Sequence, residues 1–179
     1  MNAVPDITLN DGNAIPQLGF GVFQIEPENT VEAVSEALEI GYRHIDTAEM
    51  YGNEREVGEA IRASGLDRSD VYVTSKLSNA FHEPQDAREA FDRTLSDLGF
   101  DYVDLFLIHW PLPTLYDGDF VSTWRTLEEF KRDGRARRRG LPARRRCYPA
   151  VRPPAKPRRR GKTPGTKTVI RAVQVVVFT

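Results

Sequence analysis

Four residues in this chain have the types and order that proton transfer to a polarised oxygen requires. Asp46 closes a short apolar run, His44-Ile45-Asp46, and Tyr51 follows five residues later, before a new helical pattern near Glu54. Lys76 closes the β-rich run from Val71, and His109 closes the run from Tyr102. A cation beside a phenol favours the phenolate and makes the phenol a readier proton donor; a carboxylate keeps that cation charged and fixed. An imidazole nearby can hold a carbonyl oxygen in line with the phenol. The set would polarise and protonate a carbonyl oxygen while hydride arrives at its carbon. Taken singly, a strand-end Asp is usually a cap or turn residue and a Tyr is usually packing. What points to a site is their recurrence at the ends of successive strands.

The elements that must position them are legible. Ile7-Thr8-Leu9 and Ala14 to Leu18 flank an Asp11-Gly12 turn, a hairpin signal. Gly19 to Phe23 reads as a first inner strand; its Gly-x-Gly lacks the third glycine of a dinucleotide loop. Val31, Val34 and Leu38 step at helical spacing toward Gly41, with Glu28, Glu32, Glu36 and Glu39 outside. Val57, Ala60, Ile61 and Ser64 form a second stripe ended by Gly65. Ala87, Ala90, Phe91, Thr94, Leu95 and Leu98 form a third, opened by Pro84 and ended by Gly99. The continuous apolar run Leu105 to Ile108 suits a parallel strand covered on both faces. Phe120, Trp124, Leu127 and Lys131 trace a fourth helix before Asp133-Gly134. Four strand–helix units of about thirty residues fit βαβ geometry, in a (β/α)8 barrel or an open doubly wound sheet. In either, the C-terminal strand ends share one rim, where chemistry is done.

Composition narrows the classes. The chain has 179 residues, 40% apolar and 28% charged, which suits one ordinary globular domain. Its net charge of −1 hides a split: all 26 acidic residues lie at or before Asp133, and none lies beyond it. The first residues carry no basic region or apolar run, so no signal peptide is expected; no stretch is long enough to span a membrane, and the cytoplasm is the default compartment. The single cysteine, Cys147, excludes an intramolecular disulfide and a cysteine zinc site, and no metal is expected. His44 reads as a structural strand residue, His82 as an exposed loop residue, and Trp124 as core.

The runs 41–54, from Gly-Tyr-Arg-His-Ile-Asp to Gly-Asn-Glu, 74–77, Thr-Ser-Lys-Leu, and 104–111, Asp-Leu-Phe-Leu-Ile-His-Trp-Pro, resemble the aldo-keto reductases, in particular the bacterial branch with 2,5-diketo-D-gluconate reductases. The resemblance runs from about Ile7 to Arg137. It implies the first four βα units of a TIM barrel, with an N-terminal hairpin capping the bottom, and NADPH-dependent reduction of aldehydes and ketones. By resemblance Tyr51 is the general acid, Lys76 and Asp46 are its tuning pair, and His109 orients the substrate. Gly21, Val22 and Phe23, with Asp46, fall to the cofactor; Phe23, Trp110 and His109 fall to a small carbonyl substrate. The family is expected to be monomeric. Ser78 stands where relatives often have Trp, which implies a wider or more polar pocket.

From Arg137 the resemblance ends. Arg137-Arg138-Arg139, Arg144-Arg145-Arg146 and Arg158-Arg159-Arg160 alternate with prolines through Pro164. That density forbids long helices and central strands, and disorder is expected of 137–179 beside a half barrel at 1–136. Only Thr168 to Thr179 could form a strand. The composition reads as out-of-frame translation of a GC-rich gene; a true basic tail or a gene fusion are the alternatives. The βα units that carry most cofactor contacts in relatives have no counterpart here, so impaired activity is expected. The other reading is a non-catalytic half barrel whose basic tail binds nucleic acid or a protein partner. The arginine clusters lack interleaved aromatics for base stacking, which disfavours nucleic acid. Open sheet edges would favour self-association.

Overall fold

The computed structural model describes residues 5–9, 12–112, 114–137, 139–140 and 174–177. Strands β1 (Asp6–Thr8) and β2 (Ala14–Pro16) form the expected antiparallel hairpin, with Ile7 opposite Ile15. Gly12 supplies the positive φ of 81° that its turn needs.

Four strand–helix units follow: β3 (Leu18–Gly21) and α1 (Pro27–Ile40), β4 (His44–Asp46) and α2 (Glu54–Ala63), β5 (Tyr72–Leu77) and α3 (Pro84–Leu98), β6 (Leu105–Ile108) and α4 (Phe120–Arg132). The four strands lie side by side in sequence order, all parallel. This is the first half of a (β/α)8 barrel. Helix α1 stops at Gly41 and α3 at Gly99, both in the left-handed region. Helix α2 ends two residues before the expected Gly65, with Ser64 as its cap.

The main core lies between sheet and helices. Phe91 of α3 stacks on Phe130 of α4 at 4.2 Å and meets Phe106 of β6 at 4.5 Å. Helices α2 and α3 meet closely at Gly58, where an added Cβ would stand 2.0 Å from the Leu98 carbonyl oxygen. On the inner face His44 is fully buried, its Nε2 2.9 Å from Thr74 Oγ1 and its ring edge-on to Tyr72. It is the structural residue expected, held neutral because burial lowers its pKa to about 4.

Three expectations change. Strand β6 is shorter than Tyr102–His109, because the Asp104 side chain enters the ladder. Its Oδ2 accepts from the Val73 N–H at 3.0 Å and from Arg68 at 2.9 Å, and Val103 bridges separately to Ala136. His82 is not exposed: it is buried, with Tyr116 stacked on its ring at 5.0 Å, because the segment after β6 folds back over it. The strand pattern also does not stop at Gly134. Arg139–Gly140 (β7) adds to β6 in parallel, and Gln174–Val177 (β8), inside the one stretch expected to be strand-competent, pairs antiparallel with β3. The disorder expected of the rest of the tail lies outside the described residues. Among the described residues no helix is long and apolar enough to cross a membrane, and no group of residues could hold a metal.

Candidate active site

Parallel pairing sets the ends of β3 and β4 level, with Gly21 beside Asp46, and Asp46 beside Thr74 of β5, which runs on through Lys76 to Leu77. Side chains alternate along a strand, so Lys76 shares the inner face with Thr74 while Ser75 faces the helices. The chain leaves β4 through Thr47 and Ala48 into a single 3-10 turn, Glu49–Tyr51, closed by Gly52 at φ 69°. That turn brings the phenol back over the end of β5. Lys76 Nζ donates to Asp46 Oδ1 at 2.6 Å, to the Thr47 carbonyl at 2.9 Å and to Tyr51 Oη at 3.3 Å. All three ammonium protons therefore have acceptors. The Lys76 and Asp46 side chains are 13% and 8% exposed, so their attraction is little screened by water.

His109 follows β6 directly, its N–H donating to the Leu77 carbonyl at 3.2 Å. Its ring stands edge-on to Tyr51 with centroids 5.7 Å apart. Burial lowers its pKa and the Lys76 charge adds to this, so the imidazole is neutral at pH 7. Its Nδ1 is buried with no hydrogen-bond partner. Burial pushes the Asp46 carboxyl up, while the Lys76 cation opposes that shift.

The structure thus gathers Asp46, Tyr51, Lys76 and His109 at one rim. Phe23 joins them, its ring 5.0 Å from that of Tyr51 and 44% exposed. Val22 is buried, and its N–H donates to the Asp46 carbonyl at 3.1 Å. Trp110 stands on the rim next to His109, 57% exposed. Ser78 is buried, and its hydroxyl accepts from the Ala80 N–H.

Two residues of the site went unassigned in the sequence. Asn53, fully buried, donates through Nδ2 to the carbonyls of Val22 (3.0 Å) and Ile25 (3.1 Å) and accepts from Thr47. It ties the loop after β3 to the tyrosine turn. Glu54 is a buried carboxylate at the first residue of α2. Both lie within the 41–54 run, but only tertiary packing shows what they hold.

The parallel half barrel, with these polar residues gathered on its rim, defines an α/β fold of barrel type. The chain belongs to the aldo/keto reductase family, whose model matches residues 17–143. It is 50% identical over 137 residues to an aldo-keto reductase of Mycobacterium sp. (strain JLS), which covers 76% of this chain and 49% of that protein. Among solved structures it resembles the aldo/keto reductase of Brucella melitensis, with 53% identity, a TM-score of 0.73, and coverage of 77% of this chain and 52% of that one. The Bombyx mori aldo-keto reductase, solved in complex with NADP, is 36% identical with a TM-score of 0.71, over 79% of this chain and 51% of its own. The chain spans about half the length of the curated relatives it matches.

Proposed function

We propose that this rim is the proton-handling half of an NADPH-dependent carbonyl reductase site, with aldehydes or ketones as substrates. One observation carries it: a single partly buried ammonium lies within hydrogen-bond reach of both a carboxylate and a phenol, with a neutral imidazole edge-on to that phenol. Three supports stand beside it: membership of the family, the NADP bound in the Bombyx mori relative, and the chemistry of the donor set.

The residues present fit the nicotinamide end of such a cofactor. Gly21 leaves no side chain where β3 ends beside Asp46, and Phe23 offers an exposed aromatic face next to the phenol. Gly21, Val22, Phe23 and Asp46 would hold that end. When bound, the reduced nicotinamide supplies hydride to the carbonyl carbon.

Every other step belongs to this chain. The Tyr51 hydroxyl donates to the carbonyl oxygen and passes its proton as negative charge develops there. Lys76 stabilises the phenolate left behind, from 3.3 Å. Asp46 holds Nζ in place. His109, being neutral, donates from one ring nitrogen and fixes the oxygen in line with the phenol. Phe23 and Trp110 supply apolar walls.

The test is carbonyl-dependent NADPH oxidation by the full chain and by a chimera in which residues 17–137 replace the matching half of the mycobacterial relative. The chimera turns over, and Tyr51→Phe lowers its kcat by about a hundredfold or more, the scale of a lost general acid. A folded chimera that binds NADPH but reduces no carbonyl refutes the proposal, as does full activity in Tyr51→Phe.

A further inference from the structure

Glu54 is a buried carboxylate, 4% exposed, that the proton-transfer scheme does not use. Buried charged groups are rare unless paired or bonded, so its partners define its role. Both oxygens are engaged. Oε1 accepts from Ser75 Oγ at 2.5 Å, and Oε2 accepts from Thr94 Oγ1 at 3.2 Å. Ser75 and Thr94 are themselves fully buried.

The three residues lie on three elements that meet behind the site. Glu54 opens α2, directly after the turn that carries Tyr51. Ser75 precedes Lys76 on β5 and points to the opposite face, so Glu54 grips the back of the strand whose front presents the ammonium. Thr94 belongs to α3, and its neighbour Arg93 pairs with Glu49 at 3.1 Å. The tyrosine turn is therefore pinned to α3 at both ends, through Glu49 on entry and Glu54 on exit.

We propose that Glu54 is a positioning residue for the Tyr51–Lys76 pair, fixing the phenol-bearing turn against the lysine strand through Ser75 while Thr94 anchors both to α3. This rests on reading the rim as a proton donor, yet its geometry can be tested without turnover.

Amide hydrogen exchange, read by peptide on the full chain, compares Glu54→Ala and Glu54→Gln with the unsubstituted protein. In Glu54→Ala, exchange across 47–53 and 72–77 rises at least about tenfold, the scale of two lost buried hydrogen bonds in local opening, while 27–40 is unchanged. Glu54→Gln keeps an oxygen for Ser75 and an amide that can donate to Thr94, and it restores protection. Should Glu54→Ala fail to fold, Ser75→Ala removes the strand bond alone and gives the same local pattern. A uniform rise in every peptide, or no rise in 47–53, overturns the proposal. NADPH oxidation is measured in parallel: Glu54→Ala lowers kcat about tenfold with KM kept, as expected for lost transition-state placement. Absence of turnover in the unsubstituted chain and the chimera would count against the reductase reading, and the exchange profile would still decide the placement of Glu54.

Discussion

Replacing Glu54 with Gln should change how the fold responds to pH, and by an amount the structure sets. Burial pushes the Glu54 carboxyl up from 4.5 to about 7; its bonds from Ser75 and Thr94 pull it partly back, while the nearby charges of Glu49 and Asp97 add to the rise. Those two acids are themselves paired, with Arg93 and Arg55. Between pH 4.5 and 7 the folded chain therefore holds a proton that the unfolded chain has released. Stability from this group is fully present below 4.5 and is lost as pH rises through 7. A displacement of that size corresponds to about 3 kcal/mol. Asp46 contributes in the same direction, and His44, depressed to about 4, in the opposite one. Both are common to the two proteins and cancel in the difference. Urea unfolding from pH 4 to pH 8 should thus show Glu54→Gln gaining about 3 kcal/mol on the parent as pH rises, most of it by pH 7. A difference that stays flat across that range would mean that Glu54 is ionised in the fold at neutral pH, and the burial argument would fail.

Two other substitutions probe the packing that holds the rim. Gly58→Ala should destabilise the fold by about 2 kcal/mol or more in urea unfolding, although helix propensity alone favours alanine by about 1 kcal/mol, because the new methyl meets the Leu98 carbonyl. A net gain in stability would show that α2 and α3 can move apart freely. Asn53→Ala strips two buried carbonyls of their shared donor and should cost about 2–4 kcal/mol, with the loop after β3 losing exchange protection first. Equal protection in that loop would refute its tether to the tyrosine turn.

The order of elements and the rim were legible because local signals agreed. Pro84 and Gly99 mark the ends of α3, and the all-apolar run Leu105 to Ile108 marks a strand covered on both faces. Asp46, Lys76 and His109 could be placed at strand ends from the sequence, and parallel pairing then leaves little freedom in where they meet. What escaped depends on contacts between distant segments. His82 sits in a polar stretch that reads as loop, and only the return of Tyr116 buries it. Asp104 looked like part of a strand, but its carboxylate substitutes for a backbone acceptor opposite Val73. Glu54 begins a helix whose legible stripe is Val57, Ala60, Ile61 and Ser64, and nothing in that stripe speaks for the glutamate. Its burial follows from hydroxyls on β5 and α3, each silent until the helices are packed.

Among the described residues, the hydrogen bonds of the Lys76 ammonium go to Asp46, Thr47 and Tyr51, none of them on the helices outside the sheet. On the proposed reading, the groups that give, hold and steady the proton lie on the contiguous stretch from Asp46 to His109. Such a stretch can be inherited as one cassette. On that reading a single crossover event would carry Asp46, Tyr51, Lys76 and His109 together into another barrel, leaving recognition of a cofactor's distant parts to evolve on its own schedule.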